Sequence, residues 1–264
     1  MQKNKELSNK SFNTQITYIK KEPVYIYKID NFFDENFYND LKKYFPKPTK
    51  DAGIDNDKFD INDNFGKRSI NANQLIYESQ NQEKVLSELD KIIFSKEFFN
   101  FFVKKTYFTN IFNQGNFLRK AKYLRYPITD NGNNSFFDLF FSKISIGYNY
   151  SFIKNEGGIV PHVDSQRKYL SLMLYFPDEF EKEVEYGTTF WKSKIPNFLN
   201  NHIKNAEELK NFKKESSILY RTPFVSNCLY VFLRNDFSWH TVEPLNVSKE
   251  YIRKSININF FYNN

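Results

Sequence analysis

The sequence predicts a mainly β protein with flanking helices, its core a double-stranded β-helix of the jelly-roll type, and three observations predict it. Eight short β-rich runs follow one another in the second half, at 138–150, 159–164, 169–176, 187–192, 218–224, 228–233, 238–243 and 253–262. That number suits a barrel whose two sheets sandwich a ligand. Apolar residues at helical spacing gather instead in the first half, before residue 104. Between the two patterns lies Asp130-Asn131-Gly132-Asn133-Asn134, the strongest turn signal in the chain, and the boundary is placed there.

Taken in order, residues 1–15 are polar, rich in Lys and Asn, and read as a flexible tail. Pro23 to Asp30 alternates well enough for a strand. Asp34 is a good helix N-cap, and Phe37, Leu41 and Tyr44 then recur at helical spacing until Pro46. From Lys47 to Lys67 the chain is rich in Asp, Asn and Lys, contains Gly53 and Gly66, and reads as a long loop. Val85, Leu86, Leu89, Ile92 and Ile93 mark a second amphipathic helix, and Phe98, Phe99, Phe102 and Val103 a third after Ser95. Such stripes are core-packing faces, expected to lie against the outside of a sheet. Residues 16–134 thus form a helix-rich α/β elaboration and 135–264 the barrel, the two making a single integrated domain. A polar stretch from Asn197 to Lys214 interrupts the strands and reads as a surface helix, with His202 an exposed member.

Composition agrees with a compact enzyme-sized core: 264 residues, 40% hydrophobic and 19% aromatic, well away from disordered chains. The one cysteine, Cys228, rules out an internal disulfide, and its apolar neighbours suggest a buried strand residue. No secretory pattern and no run of membrane-spanning length is visible, so a cytoplasmic address and no membrane span are expected. The net charge of +7 comes from 38 basic and 31 acidic residues. Lys is spread along the chain rather than clustered, so a nucleic-acid partner is disfavoured.

Only three histidines occur, and two sit in chemically suggestive places: Pro161-His162-Val163-Asp164 and Ser238-Trp239-His240-Thr241. In a strand, residues i and i+2 share a face, so His162 and Asp164 can grip one ion while Val163 points away. Two imidazoles and a carboxylate on one side of an octahedron leave positions open, the arrangement that suits non-haem Fe(II) oxygenases. Arg253, with Ser255 two residues on, opens the last apolar strand and can hold the far carboxylate of a dicarboxylate by a bidentate contact.

These stretches resemble the Fe(II)/2-oxoglutarate-dependent dioxygenases, and within them the prolyl 4-hydroxylase-like branch. The resemblance runs over residues 135–264, through Gly157 to Asp164, Tyr169 to Phe176, Tyr186 to Trp191, Asn227 to Phe232, Trp239 to Pro244 and Arg253 to Ser255, with a looser likeness at Tyr25 to Phe33. It implies Fe(II) held by His162, Asp164 and His240, and 2-oxoglutarate anchored by Arg253. It implies O2 as the other co-substrate, and hydroxylation of an unactivated C–H bond with release of succinate and CO2. A tyrosine on the preceding strand that supports the 2-oxoglutarate carboxylate would be Tyr150 or Tyr148, which alternation puts on one face. Ser171 matches a co-substrate pocket position, and Thr189 the threonine of a Gly-Gly-x-Thr turn whose first glycine is Tyr186 here.

Two departures bear on the reaction. Asp164 stands where related halogenases carry a small residue, which disfavours halogenation. The oxygenases that repair alkylated nucleic acids carry a second arginine six residues beyond the first, where this chain has Asn259. The substrate stays open among a free amino acid, a peptidyl side chain, a sugar or other glycan, and a lipid-linked intermediate. Arg167 and Lys168 either meet an anionic substrate or form an exposed loop pair. The other class of function is a cupin-like barrel that binds a metal or a carbohydrate without oxygen chemistry.

Overall fold

The structure is a computed structural model that describes residues 11–48, 67–113, 126–129, 141–178, 186–194, 203 and 205–263. Two sheets face one another. The larger has eight strands among the described residues: β1 (Thr17–Lys20), β2 (Ile26–Ile29), β3 (Lys67–Asn71), β4 (Tyr126–Thr129), β5 (Phe141–Lys154), β7 (Lys168–Phe176), β10 (Leu229–Leu233) and β12 (Ile252–Tyr262), in the order β1-β2-β10-β7-β12-β5-β3 with β4 beside β5. The smaller runs β6-β11-β8-β9, from β6 (Ile159–His162), β8 (Thr189–Lys192), β9 (Ser217–Arg221) and β11 (His240–Val242). Met173, Tyr230 and Phe232 of the large sheet cluster with Phe190 of the small one, closing the jelly roll on one side.

All eight expected strands are present, with ends shifted by a few residues and the 138–150 run reaching Lys154. The helices begin where their caps lie. Asp34 accepts from the amides of Asn36 and Phe37 at the start of α1 (Glu35–Lys43). Ser79 accepts from Gln82 N at the start of α2 (Gln80–Ile93), and Ser95 from Phe98 N at that of α3 (Lys96–Asn113). Leu86, Leu89, Ile93, Phe98, Phe102 and Val103 then pack on Tyr150, Phe152, Leu170, Leu174, Ile258 and Phe260 of the large sheet. The Phe98 ring lies 4.7 Å from Phe102 and 5.4 Å from Phe12, contacts that add to the area each ring removes from water. The polar stretch yields α4 (Ala206–Glu215), capped by Asn205 and anchored by Phe212.

Three expectations need correction. Residues 11–15 are not tail: Phe12 is 3% exposed in the core and Asn13 N donates to Phe32 O. Residues 16–134 do more than lay helices outside the barrel, since β1 to β4 join its large sheet. Lys67 is no loop residue but opens β3, the edge strand beside β5. Residues 1–10, most of the 47–67 segment, the Asp130–Asn134 turn and His202 lie outside the described residues.

Candidate metal centre

β6 ends and β11 begins on a directly opposed pair, His162 against His240, and the two rings stand 4.2 Å apart, centroid to centroid. Each Nδ1 lies 2.9 Å from a main-chain carbonyl, Val160 O for His162 and Ser238 O for His240. A carbonyl only accepts, so each Nδ1 carries the hydrogen and each Nε2 is left bare for a metal. Asp164 lies two residues beyond His162, its Oδ1 3.9 Å from His162 Nε2. One ligand atom from each of His162, Asp164 and His240 falls within 4.8 Å of the others. Between them Val163 turns away to pack with Trp191, Phe212 and Trp239.

The protonation states match a ligand set. Burial, and then the neighbouring His240, holds the His162 imidazole well below its ordinary range, and burial lowers His240 as well. Burial alone would raise the Asp164 carboxyl, but Lys168, His240 and His162 together hold it well below the usual carboxylate range. Asp164 Oδ1 accepts from Lys168 Nζ at 2.7 Å and Oδ2 from Ser171 Oγ at 2.8 Å, while Arg234 Nε donates to the Asp164 main-chain carbonyl at 3.1 Å. The carboxylate is thus held at both oxygens and the main chain that carries it by a third bond.

These groups line a cavity of about 100 Å³ between the sheets, with Arg253 and Ser255 in its wall. Arg253 is 2% exposed. Its guanidinium lies over the Tyr175 and Phe224 rings, 5.1 and 4.8 Å from their centroids. Nε donates to Tyr186 O at 2.6 Å and Nη1 lies 3.5 Å from Ser255 Oγ. No carboxylate pairs with it among the described residues. Burial pulls its pKa down, and an unpaired buried cation is costly enough to call for an anion.

Of the remaining expected site residues, the structure brings Ser171 and Ser255 into the cavity and leaves three others out. Tyr148 and Tyr150 share a face, but it is the opposite one: Tyr148 Oη donates to Asp90 Oδ1 of α2 at 2.7 Å, and Tyr150 packs on Phe45. Their neighbours Asn149 and Ser151 face the cavity instead, because the aromatic parity of β5 is the one that buries against the helices. Thr189 accepts from Arg221 Nε, and Thr188 takes its place in the wall. A Cβ on Gly187 would lie 1.7 Å from Thr222 O, so only glycine permits the close approach that presents Thr188. Lys67, Asn149, Ser151, Thr188, Asn257 and Asn259 were missed. Four, Asn149, Ser151, Asn257 and Asn259, sit in strands whose polar residues recur every second position, Arg253-x-Ser255-x-Asn257-x-Asn259 being the plainest case, a signal available in the sequence.

No family model and no curated protein matches the chain. Solved structures do. A prolyl-4-hydroxylase from Pseudomonas putida is similar at 12% identity over 90% of this chain and 92% of that one, with a TM-score of 0.44. A prolyl hydroxylase from Trichoplax adhaerens, in complex with a peptide fragment of the hypoxia inducible factor oxygen degradation domain, aligns at 12% identity over 90% and 83%, with a TM-score of 0.45. AviO1 from Streptomyces viridochromogenes Tue57 aligns at 9% over 89% of each chain, with a TM-score of 0.47. At such values the site's own geometry has to carry the functional reading.

Proposed function

We propose that this chain is an Fe(II)- and 2-oxoglutarate-dependent oxygenase that hydroxylates an unactivated C–H bond of its substrate. The observation that carries the reading is the meeting of two demands in one cavity: a neutral-histidine, carboxylate ligand set, and a buried guanidinium with no described carboxylate partner. The donor set fits Fe(II), a carboxylate–imidazole site with room for further ligands. When bound, iron and 2-oxoglutarate supply the oxidising chemistry, in which O2 is consumed, 2-oxoglutarate becomes succinate and CO2, and a C–H bond gains a hydroxyl.

The protein's part is orientation and exclusion. Val160 O and Ser238 O hold the imidazoles in one tautomer, and Ser171 and Lys168 hold the Asp164 carboxylate. Arg253, held against the adjoining Tyr175 and Phe224 rings, presents donors to the distal carboxylate of 2-oxoglutarate, with Ser255 beside it. Ile159, Leu172, Met173, Phe232 and Val242 supply apolar wall that limits water. A barrel that only stored a metal would have no use for Arg253, which sets the non-oxygenase reading aside. Among the described residues no helix is long and apolar enough to cross a membrane.

The test is spectroscopic first. Anaerobic protein given Fe(II) and 2-oxoglutarate should show the weak visible charge-transfer band of the chelate, and Arg253→Ala should need far more 2-oxoglutarate to reach it. Asp164→Ala should lose 2-oxoglutarate-dependent succinate release while staying folded. A well-folded protein without the band, or an Asp164→Ala variant with full turnover, refutes the proposal.

A further inference from the structure

The cavity has more positive charge than the co-substrate explains. Three cationic side chains line it, Arg253, Lys168 and Lys67, against Asp164 as the one carboxylate among the described lining residues. If the reading above holds, as this inference requires, a divalent ion joins them, and 2-oxoglutarate brings two negative charges. A clear positive surplus is left, and the two lysines carry it.

Lys67 is the telling one. It pairs with Ile153 across the β3–β5 edge, and Ile153 pairs in turn with Arg253, so Lys67 and Arg253 lie in one row of the sheet two strands apart. Its half-buried side chain lines the cavity, and it has no hydrogen bond or ion pair with any described residue. Burial, and next the charge of Lys168, pulls its pKa down to about 8. A lysine held at that cost with no described partner is placed for a ligand. Lys168 adjoins the metal ligands through Asp164, while Arg167 beside it is exposed. The rest of the described wall is uncharged, polar at Asn149, Ser151, Asn257 and Asn259 and otherwise largely aliphatic, and Phe232 is its one benzenoid ring. That lining suits a small polar anion better than a neutral sugar, which needs a ring to stack on.

We propose that the substrate carries a carboxylate or phosphate close to the carbon that is oxidised, and that Lys67 and Lys168 hold that anion. An anion on Lys168 lies next to the metal ligands, so the reacting carbon is a near neighbour of the charged group. Arg253 serves the co-substrate alone.

The experiment uses the full chain loaded with Mn(II) and N-oxalylglycine, a non-reacting analogue of 2-oxoglutarate, so that the co-substrate position is filled. Acetic anhydride then labels lysines, and acetylation of Lys67 is read by mass spectrometry with and without inorganic phosphate or acetate. Saturating probe should slow Lys67 labelling by about ten-fold, the value for a probe at ten times its Kd, and leave exposed Lys20 unchanged. Whichever of phosphate and acetate protects names the anion. Protection by neither overturns the proposal. So does protection by N-oxalylglycine alone, which would give Lys67 to the co-substrate. Calorimetry separates the two readings: Lys67→Gln should lose probe binding, keep Mn(II)/N-oxalylglycine affinity within about two-fold, and regain probe binding as Lys67→Arg. If N-oxalylglycine fails to bind the unaltered protein at all, the oxygenase reading falls, whatever the lysines do.

Discussion

The two faces of the large sheet come from the same strands and do opposite work. On the face toward α2 and α3, Tyr150, Phe152, Leu170, Leu174, Ile256, Ile258 and Phe260 pack into one continuous core. On the other, one residue along, Asn149, Ser151, Ser171, Arg253, Ser255, Asn257 and Asn259 line the cavity. Alternation puts neighbouring residues on opposite faces, so stability and chemistry interleave along β5, β7 and β12, and of that described core only Leu172 also reaches the cavity wall. The inner face can afford buried polar and cationic groups because the outer one supplies the apolar burial.

That division can be broken by experiment, and the largest effect belongs to the outer face. Phe98→Ala removes a fully buried ring and should cost about 3–5 kcal/mol, seen as a lower denaturation midpoint, with Fe(II) and 2-oxoglutarate affinities unchanged in the folded fraction. Loss of metal affinity at unchanged stability would break the division. On the inner face Ser171→Ala removes the hydroxyl that holds Asp164 Oδ2, and should weaken Fe(II) binding about 10- to 100-fold with little change in the midpoint.

Acidification tests the same face through protonation. His162 and His240 are held neutral in the folded protein, their pKa values lowered chiefly by burial, while the unfolded chain takes up protons near the ordinary value of about 6.5. The metal-free protein should therefore keep its stability above that value. It should lose stability as pH falls below it, at up to about 1.4 kcal/mol per pH unit for each histidine. Lowered Asp164 acts in the same direction. Thermal melts of metal-free protein should show the decline, and His162→Gln should flatten it; an equal slope in the variant would refute this account. The smallest effect sharpens the assignment of faces. Tyr148→Phe should cost about 1 kcal/mol through its bond to Asp90 and leave 2-oxoglutarate affinity alone, whereas a tyrosine in the co-substrate pocket would change it.

Much of this was legible in the sequence. His162 and Asp164 sit two apart at a strand end, His240 follows after four intervening strands, and Arg253 opens the last strand, so order alone gathered the metal centre and its cationic neighbour. Alternation also put Tyr148 and Tyr150 together, but could not tell which face was inward. A tyrosine is amphipathic, and its ring and hydroxyl suit a helix-covered core as well as a pocket. Thr189 is the residue that a match to the Gly-Gly-x-Thr turn selects, but that match is read from residue types and says nothing of which threonine the turn through Gly187 presents to the cavity. Lys67 escaped because its role depends on β3 pairing with β5, a contact across more than eighty residues, and because the charged run before it resembles loop.

His162 and His240 project from directly opposed residues of neighbouring strands, so their separation follows from main-chain pairing, which fixes strand spacing whatever the side chains are. A lineage can rewrite the walls of this pocket, exchanging Lys67 for a neutral group or asparagines for bulk, without loosening the grip on the ion. New selectivity is then open to single substitutions, each made on a scaffold whose reactive centre does not have to be rebuilt.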